Sequence, residues 1–333
     1  MNPEPKTSRL ADALFVPVLT HYAQGGAGTV DRDRMLAHLR TIRPSVRQVM
    51  LAGSTGDGWE LGDDGFDALI DLAASREMAG LDLALIFGAL RPTTEAVIAR
   101  LNHLEERLAK DADLRERVTC AVVCPPVDAQ ASQDAIVEHY EAVLLASRLP
   151  IAVYQLPQVT GCRIAPETMA RLAASPRVGL FKDSSGEDTV AKSGLDFADV
   201  ALVRGAEGGY LEALKPDGPY DGWLLSTGNV IGEPLRQLLA LKAEGRSAEA
   251  EALSARLSRA VAAVFEAAQG EGGANAFSNA NRAMDHLAAH GGAWRDAPLP
   301  LKVDGNRLSA DLVEKAAEIA QDLLPAAGRG YLE

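Results

Sequence analysis

From Ala13 to Ser226 the chain alternates short apolar runs with helix-length segments, and few folds accept that rhythm for so long. The runs suited to buried parallel strands are Ala13–Thr20, Gln48–Ala52, Leu83–Phe87, Val118–Cys124, Ile151–Tyr154, Val178–Lys182, Val200–Arg204 and Gly222–Ser226. Between them lie the periodic stretches Asp31–Arg40, Phe66–Arg76, Thr94–Leu108, Asp134–Ser147 and Pro166–Ala174. The last opens with a proline at the first helical position, followed by Glu167. Eight such strands within about 215 residues predict an α/β fold, a (β/α)8 TIM barrel, ahead of an open doubly wound sheet. Past Ser226 the pattern turns helical, over Glu233–Ala243, Ala248–Ala268, Asn275–Ala289 and Ala310–Leu324. The expected organisation is an N-terminal tail over 1–12, a barrel over 13–245 and a C-terminal helical region over 246–333.

Of the 333 residues, 47% are apolar and 24% charged, which supplies a large core and argues against wholesale disorder. A net charge of −13 disfavours nucleic acid or an anionic membrane surface as partner, since both need clustered positive charge. It leaves room for a small anionic substrate in a locally positive pocket. Three cysteines cannot staple a chain of this size, and their odd number points to a reducing compartment. The opening residues are polar and contain proline, unlike a secretory signal, and no window approaches 18 uninterrupted apolar residues. A soluble, cytoplasmic protein is expected.

In a barrel, chemistry gathers where strands end and the following loops begin. The sixth run ends Val-Gly-Leu-Phe-Lys-Asp-Ser-Ser-Gly, so Lys182 shares the inward face of Leu180 and Val178. An ammonium at an apolar mouth is pushed toward the neutral amine, the form a Schiff-base nucleophile needs. A strand-capping lysine, or one paired with Asp183, fits the same residues. The fifth run ends with Tyr154, whose parity with Ala152 leaves its ring room in the lumen; a phenol there suits a proton relay or a core tyrosine with a satisfied hydroxyl. The second run leads into Gly53-Ser54-Thr55-Gly56-Asp57-Gly58, a turn able to converge backbone N–H groups and two hydroxyls on a carboxylate, or simply an ordinary glycine-rich turn.

Other constellations are weak. His286 and His290 lie one helical turn apart without an intervening metalloprotease glutamate or a third ligand nearby, and are expected to be solvated, with no metal bound. Cys120 and Cys124 sit about 13 Å apart along one strand, too far for a disulfide. Gly25-Gly26-Ala27-Gly28 reads as a loop. Gly205-Ala206-Glu207-Gly208-Gly209 follows the seventh strand, where barrels often bind phosphate, but Glu207 at its centre opposes an anion.

Taken together, these segments resemble the dihydrodipicolinate synthase/N-acetylneuraminate lyase family. Gly53-Ser54-Thr55-Gly56-Asp57 is similar to its GxTGE motif. Tyr154-Gln155-Leu156-Pro157 followed by Thr160-Gly161 resembles its YNxPxxxG segment, and Phe181-Lys182-Asp183-Ser184-Ser185-Gly186 its strand-six lysine motif. Lys182 follows Tyr154 by 28 residues, the family's interval between relay tyrosine and Schiff-base lysine. The resemblance implies a class I, cofactor-free and metal-free lyase, usually a homotetramer, acting on pyruvate or another 2-keto acid. It assigns Lys182 as nucleophile, Tyr154 with Thr55 or Ser54 as proton relay, and Gly53, Ser54 and Thr55 as the carboxylate site; by its place at the end of the eighth strand, Ser226 is expected to contact the substrate.

The departures carry information too. The family's paired tyrosines after strand four fall on Val127 and Asp128, so that relay is missing or rebuilt, with Asp128 as its candidate. Where the synthases grip a second carboxylate with arginine stands Val159; loss of that charge-assisted contact costs a few kcal/mol of binding, about the magnitude of a charged hydrogen bond. Gln155 for asparagine and Asp57 for glutamate are milder, and Trp59 is placed to narrow the pocket. The expected function is therefore a lyase or aldolase for a pyruvate-derived 2-keto acid, such as a 2-keto-3-deoxy sugar acid, rather than the lysine-pathway synthase. A dehydratase or deaminase using the same imine, and a barrel that binds a keto acid without turnover, are the alternatives.

Overall fold

The structure is a computed structural model that describes residues 12–24, 26–320, 323–324 and 329–333. Eight parallel strands form a closed barrel in chain order. They are β1 (Leu14–Pro17), β2 (Gln48–Leu51), β3 (Ala84–Gly88), β4 (Val118–Val123), β5 (Ile151–Gln155), β6 (Val178–Asp183), β7 (Ala201–Arg204) and β8 (Gly222–Leu224). Each falls on one of the expected runs, because strands covered on both faces must be apolar almost throughout. Of the expected tail over 1–12, residues 1–11 lie outside the described ones, as does Gly25 of the glycine-rich loop.

The chain divides into two compact units. One contains Ala84–Ala206 and Ala213–Leu224, hence β3 to β8. In it Ala152 pairs with Leu180, Tyr154 with Lys182 and Gln155 with Asp183, while Lys182 pairs onward with Val203. The other contains Leu14–Leu83, Glu207–Glu212 and Leu225–Glu333. It holds β1 paired with β2 through Phe15↔Gln48 and Pro17↔Met50, and the C-terminal helices.

Helix starts follow capping chemistry. Asp31, Thr93, Ser132 and Asn275 each accept a hydrogen bond from the amide three residues on, so the helices run Arg32–Ile42, Thr94–Leu108, Gln133–Ala146 and Ala276–His290. Asp31 and Asn275, expected as first helical residues, are therefore caps. The helix expected from Glu233 begins at Gly228 and runs to Ala243, with non-helical backbone at Ile231 three residues before Pro234. Ser247–Ala267 and Ala310–Ala320 complete the C-terminal set, and residues 321–322 of the last expected helix lie outside the described ones. None of the helices among the described residues is long and apolar enough to cross a membrane.

The eight-fold strand–helix alternation is broken once. Between β6 and β7 no helix forms over residues 184–200. The side chains there offer the backbone local partners instead: Asp183 accepts from the Ser185 amide, Ser185 from Glu187, Ser193 from Leu195 and Asp196 from Ala198. The sequence reading also passes over Ala112–Arg117, six residues capped by Asp111, which is too short for periodicity to register.

Candidate active site

Lys182 and Tyr154 meet as strand parity requires. They occupy paired positions on β6 and β5, are 3% and 2% exposed, and the lysine Nζ lies 4.0 Å from the centroid of the tyrosine ring. Cys124, just past β4, is buried in the same unit; burial pushes its thiol far above the usual range, with the Lys182 charge opposing. All three cysteines are free and buried, and burial lifts the Cys120 thiol to about 12, which disfavours the reactive thiolate.

Asp183 faces the other side of β6 from Lys182. Its buried carboxylate accepts from Gln155 at 3.3 Å, the Ser185 amide at 2.9 Å and the Tyr220 hydroxyl at 3.3 Å. The same hydroxyl lies 2.8 Å from Asp188, which Arg204 and Lys192 also engage. Gln155 thus does structural work, because its Oε1 accepts from the Ile164 amide at 2.7 Å while its Nε2 holds Asp183.

Gly205, just past β7, lies against the Lys182 side chain, a contact that sequence reasoning missed. A Cβ there would lie 2.8 Å from Lys182 Cε and would also strike Ser184 Oγ. The glycine therefore makes room for the lysine stem, and its signal in the sequence is its place one residue past a barrel strand. Gly205→Ala is expected to displace Lys182 and slow reaction at its amine about tenfold to a hundredfold, with about 1–3 kcal/mol of overpacking cost. Pyruvate-adduct formation and a thermal melt measure the two effects.

The Ser54–Gly56 turn belongs to the other unit. Its amides at Gly56 and Gly58 return to the Gly53 carbonyl and that of Asp57 to the Ser54 carbonyl. Gly56 is required here, since a Cβ would lie 2.6 Å from the Val18 carbonyl. The Trp59 indole N–H donates to Ser54 Oγ at 3.0 Å, leaving that hydroxyl its own proton to donate. Thr55 is 6% exposed.

This turn is clamped by the helix Ala276–His290. Asn275 and Ser278 donate to the Ser54 carbonyl at 2.8 and 3.1 Å, and Ser278 to that of Thr55 at 2.9 Å. One turn farther, Arg282 pairs with Asp57, whose carboxylate also accepts from Tyr22 at 2.8 Å. The sequence signal was a run of polar residues at helical spacing, Asn275, Ser278 and Arg282, on a helix otherwise suited to burial.

Ser226 is placed beside Glu207. Its hydroxyl donates to Glu207 Oε1 at 3.0 Å, and the same carboxylate accepts from the Thr227 amide, the Thr227 hydroxyl and Tyr210 at 3.0, 2.8 and 3.1 Å. Desolvation pushes the Glu207 carboxyl up and these donors offset it only in part. The glycine-rich segment after β7 thus presents a carboxylate held by three hydroxyls and an amide.

Three positions that depart from the family's motifs lie at the surface. Asp128, the candidate for a rebuilt relay, is exposed and accepts from the Gln130 amide in its own turn. Val127 and Val159 are 43% and 40% exposed. The expectation of solvated histidines fails for His286, which is 1% exposed and lies 2.8 Å from the Trp294 carbonyl through Nε2, because this helix is buried on nearly every side. Burial lowers His290 to about 4.

Comparison with known proteins agrees with the fold. The sequence profile of the dihydrodipicolinate synthetase family matches residues 11–272. A 4-hydroxy-tetrahydrodipicolinate synthase of Stenotrophomonas maltophilia is 27% identical over 252 residues, covering 73% of this chain and 78% of that protein. Among solved structures, YagE, a prophage protein of E. coli K12 in complex with pyruvate, superposes with a TM-score of 0.76 at 17% identity, covering 93% of this chain and 98% of that one. KD(P)GA from T. tenax gives 0.70 at 16%, covering 94% and 100%. With a closed eight-stranded barrel, a buried lysine–tyrosine pair on strands five and six, and a profile match across most of its length, the chain belongs to the dihydrodipicolinate synthetase family.

Proposed function

We propose that this protein is a class I lyase in which Lys182 forms a Schiff base with pyruvate or another 2-keto acid and a bond at C3 is then made or broken. The observation that carries the reading is the buried Lys182 Nζ held 4.0 Å from the Tyr154 ring centroid at the lysine motif of a family of lyases and aldolases. The amine adds to the C2 carbonyl and water leaves. The protonated imine then draws electrons from C3, so that a proton or the C3–C4 bond can depart. Tyr154 carries the protons, with Thr55 completing the relay. Gly53, Ser54 and Thr55 take the carboxylate, which rests on the motifs, and Ser226 contacts the substrate, which rests on its place at the end of the eighth strand. The reaction needs no metal or organic cofactor. A homo-oligomer, tetramer or dimer, follows from the family resemblance alone, and a cytoplasmic location from the cysteine count and the polar opening residues.

The substrate favoured is a 2-keto acid with an uncharged far end, such as a 2-keto-3-deoxy sugar acid, rather than the semialdehyde of the lysine pathway. Val159 supports this, an alkyl group where the synthases carry the arginine that grips a second carboxylate.

Incubation with pyruvate and sodium borohydride, then intact-mass and peptide mapping, tests the reading. One reduced pyruvate on the Lys182 peptide is expected, and an unmodified lysine with every keto acid tried would sink it. Release of carbon dioxide or ammonia without pyruvate would move the chemistry to a dehydratase or deaminase; tight binding without any product would leave a non-catalytic barrel. Tyr154→Phe should slow exchange of the pyruvate methyl protons with solvent about a hundredfold while leaving the trapped adduct detectable.

A further inference from the structure

Away from these residues, the unit containing β1 buries two histidines and an aspartate against one another. His21 follows β1, His38 lies on the helix Arg32–Ile42 and Asp285 on the helix Ala276–His290; they are 6%, 0% and 2% exposed. His38 Nδ1 stands 2.9 Å from Asp285 Oδ1, and His21 Nε2 stands 3.8 Å from Asp285 Oδ2. The imidazole rings meet edge to face at 5.1 Å, and one ligand-type atom from each of the three residues lies within 4.8 Å of the others.

Hydrogen bonding around Asn229 fixes the His38 tautomer. The Asn229 Nδ2 donates to the Pro17 and Ser226 carbonyls at 2.9 and 2.7 Å, which makes Oδ1 the acceptor; it takes the Leu19 amide at 3.0 Å. His38 Nε2, 2.9 Å from the same Oδ1, must then carry a hydrogen. A bare Nδ1 would set a nitrogen lone pair against a carboxylate oxygen, so something positive belongs between them. A proton on Nδ1 would answer that contact alone. It would leave His21 Nε2 buried, facing the other carboxylate oxygen, with no hydrogen-bond partner among the described residues.

We propose that His38 Nδ1, His21 Nε2 and Asp285 form a binding site for a late first-row divalent cation such as Zn2+. Two imidazoles and one carboxylate are a donor set such ions favour, and bonds of about 2.0–2.2 Å hold ligands about 3–4 Å apart, close to the spacing here. The outer contacts fit as well. His38 donates its other ring nitrogen's hydrogen to an amide oxygen, and Asp285 accepts from Tyr331 at 2.8 Å and from Arg34 at 2.7 Å. The Arg34 charge opposes a cation, which places the site below a purely structural zinc site in affinity. No local spacing marks this site in the sequence, because His21, His38 and Asp285 are scattered along the chain.

The test is titration of chelator-treated full-length protein with Zn2+ by calorimetry, and with Co2+ by visible absorption. One Zn2+ per chain, a Co2+ ligand-field band and a Zn2+-dependent rise in melting temperature are expected. His21→Ala should weaken Zn2+ binding more than tenfold and abolish the rise. Because His21 Nε2 supports no hydrogen bond, that variant should fold, with an undiminished pyruvate adduct at Lys182 as its control. Absence of saturable Zn2+ binding, or binding by His21→Ala and His21→Gln as tight as that of the parent, overturns the site and leaves His38 paired with Asp285 through a proton. Neither result bears on the Schiff-base chemistry.

Discussion

Lys182→Met is expected to give no borohydride-trapped pyruvate adduct and to slow exchange of the pyruvate methyl protons about a thousandfold or more. Methionine keeps the apolar stem of a 3% exposed side chain while removing its nucleophile, so the barrel should melt near the parent temperature. That control matters because a lysine at a barrel mouth also packs. If the variant keeps its exchange rate, Lys182 is structural and the proposed reaction is wrong. If exchange and fold are lost together, Lys182→Arg supplies the second comparison, retaining charge and length without an imine-forming amine.

Arg282→Ala carries the second large effect, on stability. The Arg282 guanidinium is 1% exposed, pairs with an Asp57 carboxylate that is 0% exposed, and also reaches the Thr20 carbonyl. Removing it strands a buried carboxylate with the Tyr22 hydroxyl, at a cost of about 3–5 kcal/mol. Asp57→Leu combined with Arg282→Met should recover most of that loss, since an apolar pair of similar volume removes the unpaired charge. Activity should stay low in the double variant, because Asp57 sits in the left-handed backbone that closes the Ser54–Gly56 turn. Denaturant titration with exchange measured on the same samples separates the two. A single variant within about 0.5 kcal/mol of the parent would show that the ion pair does not hold the turn.

The contrast between these two residues shows where the sequence is readable. Lys182 and Tyr154 were legible because strand geometry is local: a side chain's face follows from counting by two, and a strand buried on both sides announces itself as an apolar run. The interval between them then matched the family without any knowledge of contacts. Arg282 was illegible for the opposite reason. Its partner lies in a turn more than two hundred residues earlier, and nothing in the helix's own periodicity says which polar residue will be buried against what.

Local chemistry likewise determined the order of the eight strands, the helices with side-chain caps and the inward direction of the lysine, since each depends on residues within a few positions of one another. Tertiary structure decided the rest. It replaced the helix between β6 and β7 by a loop tied to Asp183 and Asp188, made Gly205 the space beside the lysine stem, gave the Ser226 hydroxyl to Glu207 and brought His21, His38 and Asp285 together. Those outcomes depend on which distant groups share a buried volume. There each unpaired polar atom is costly, so only the assembled packing determines which partner it finds.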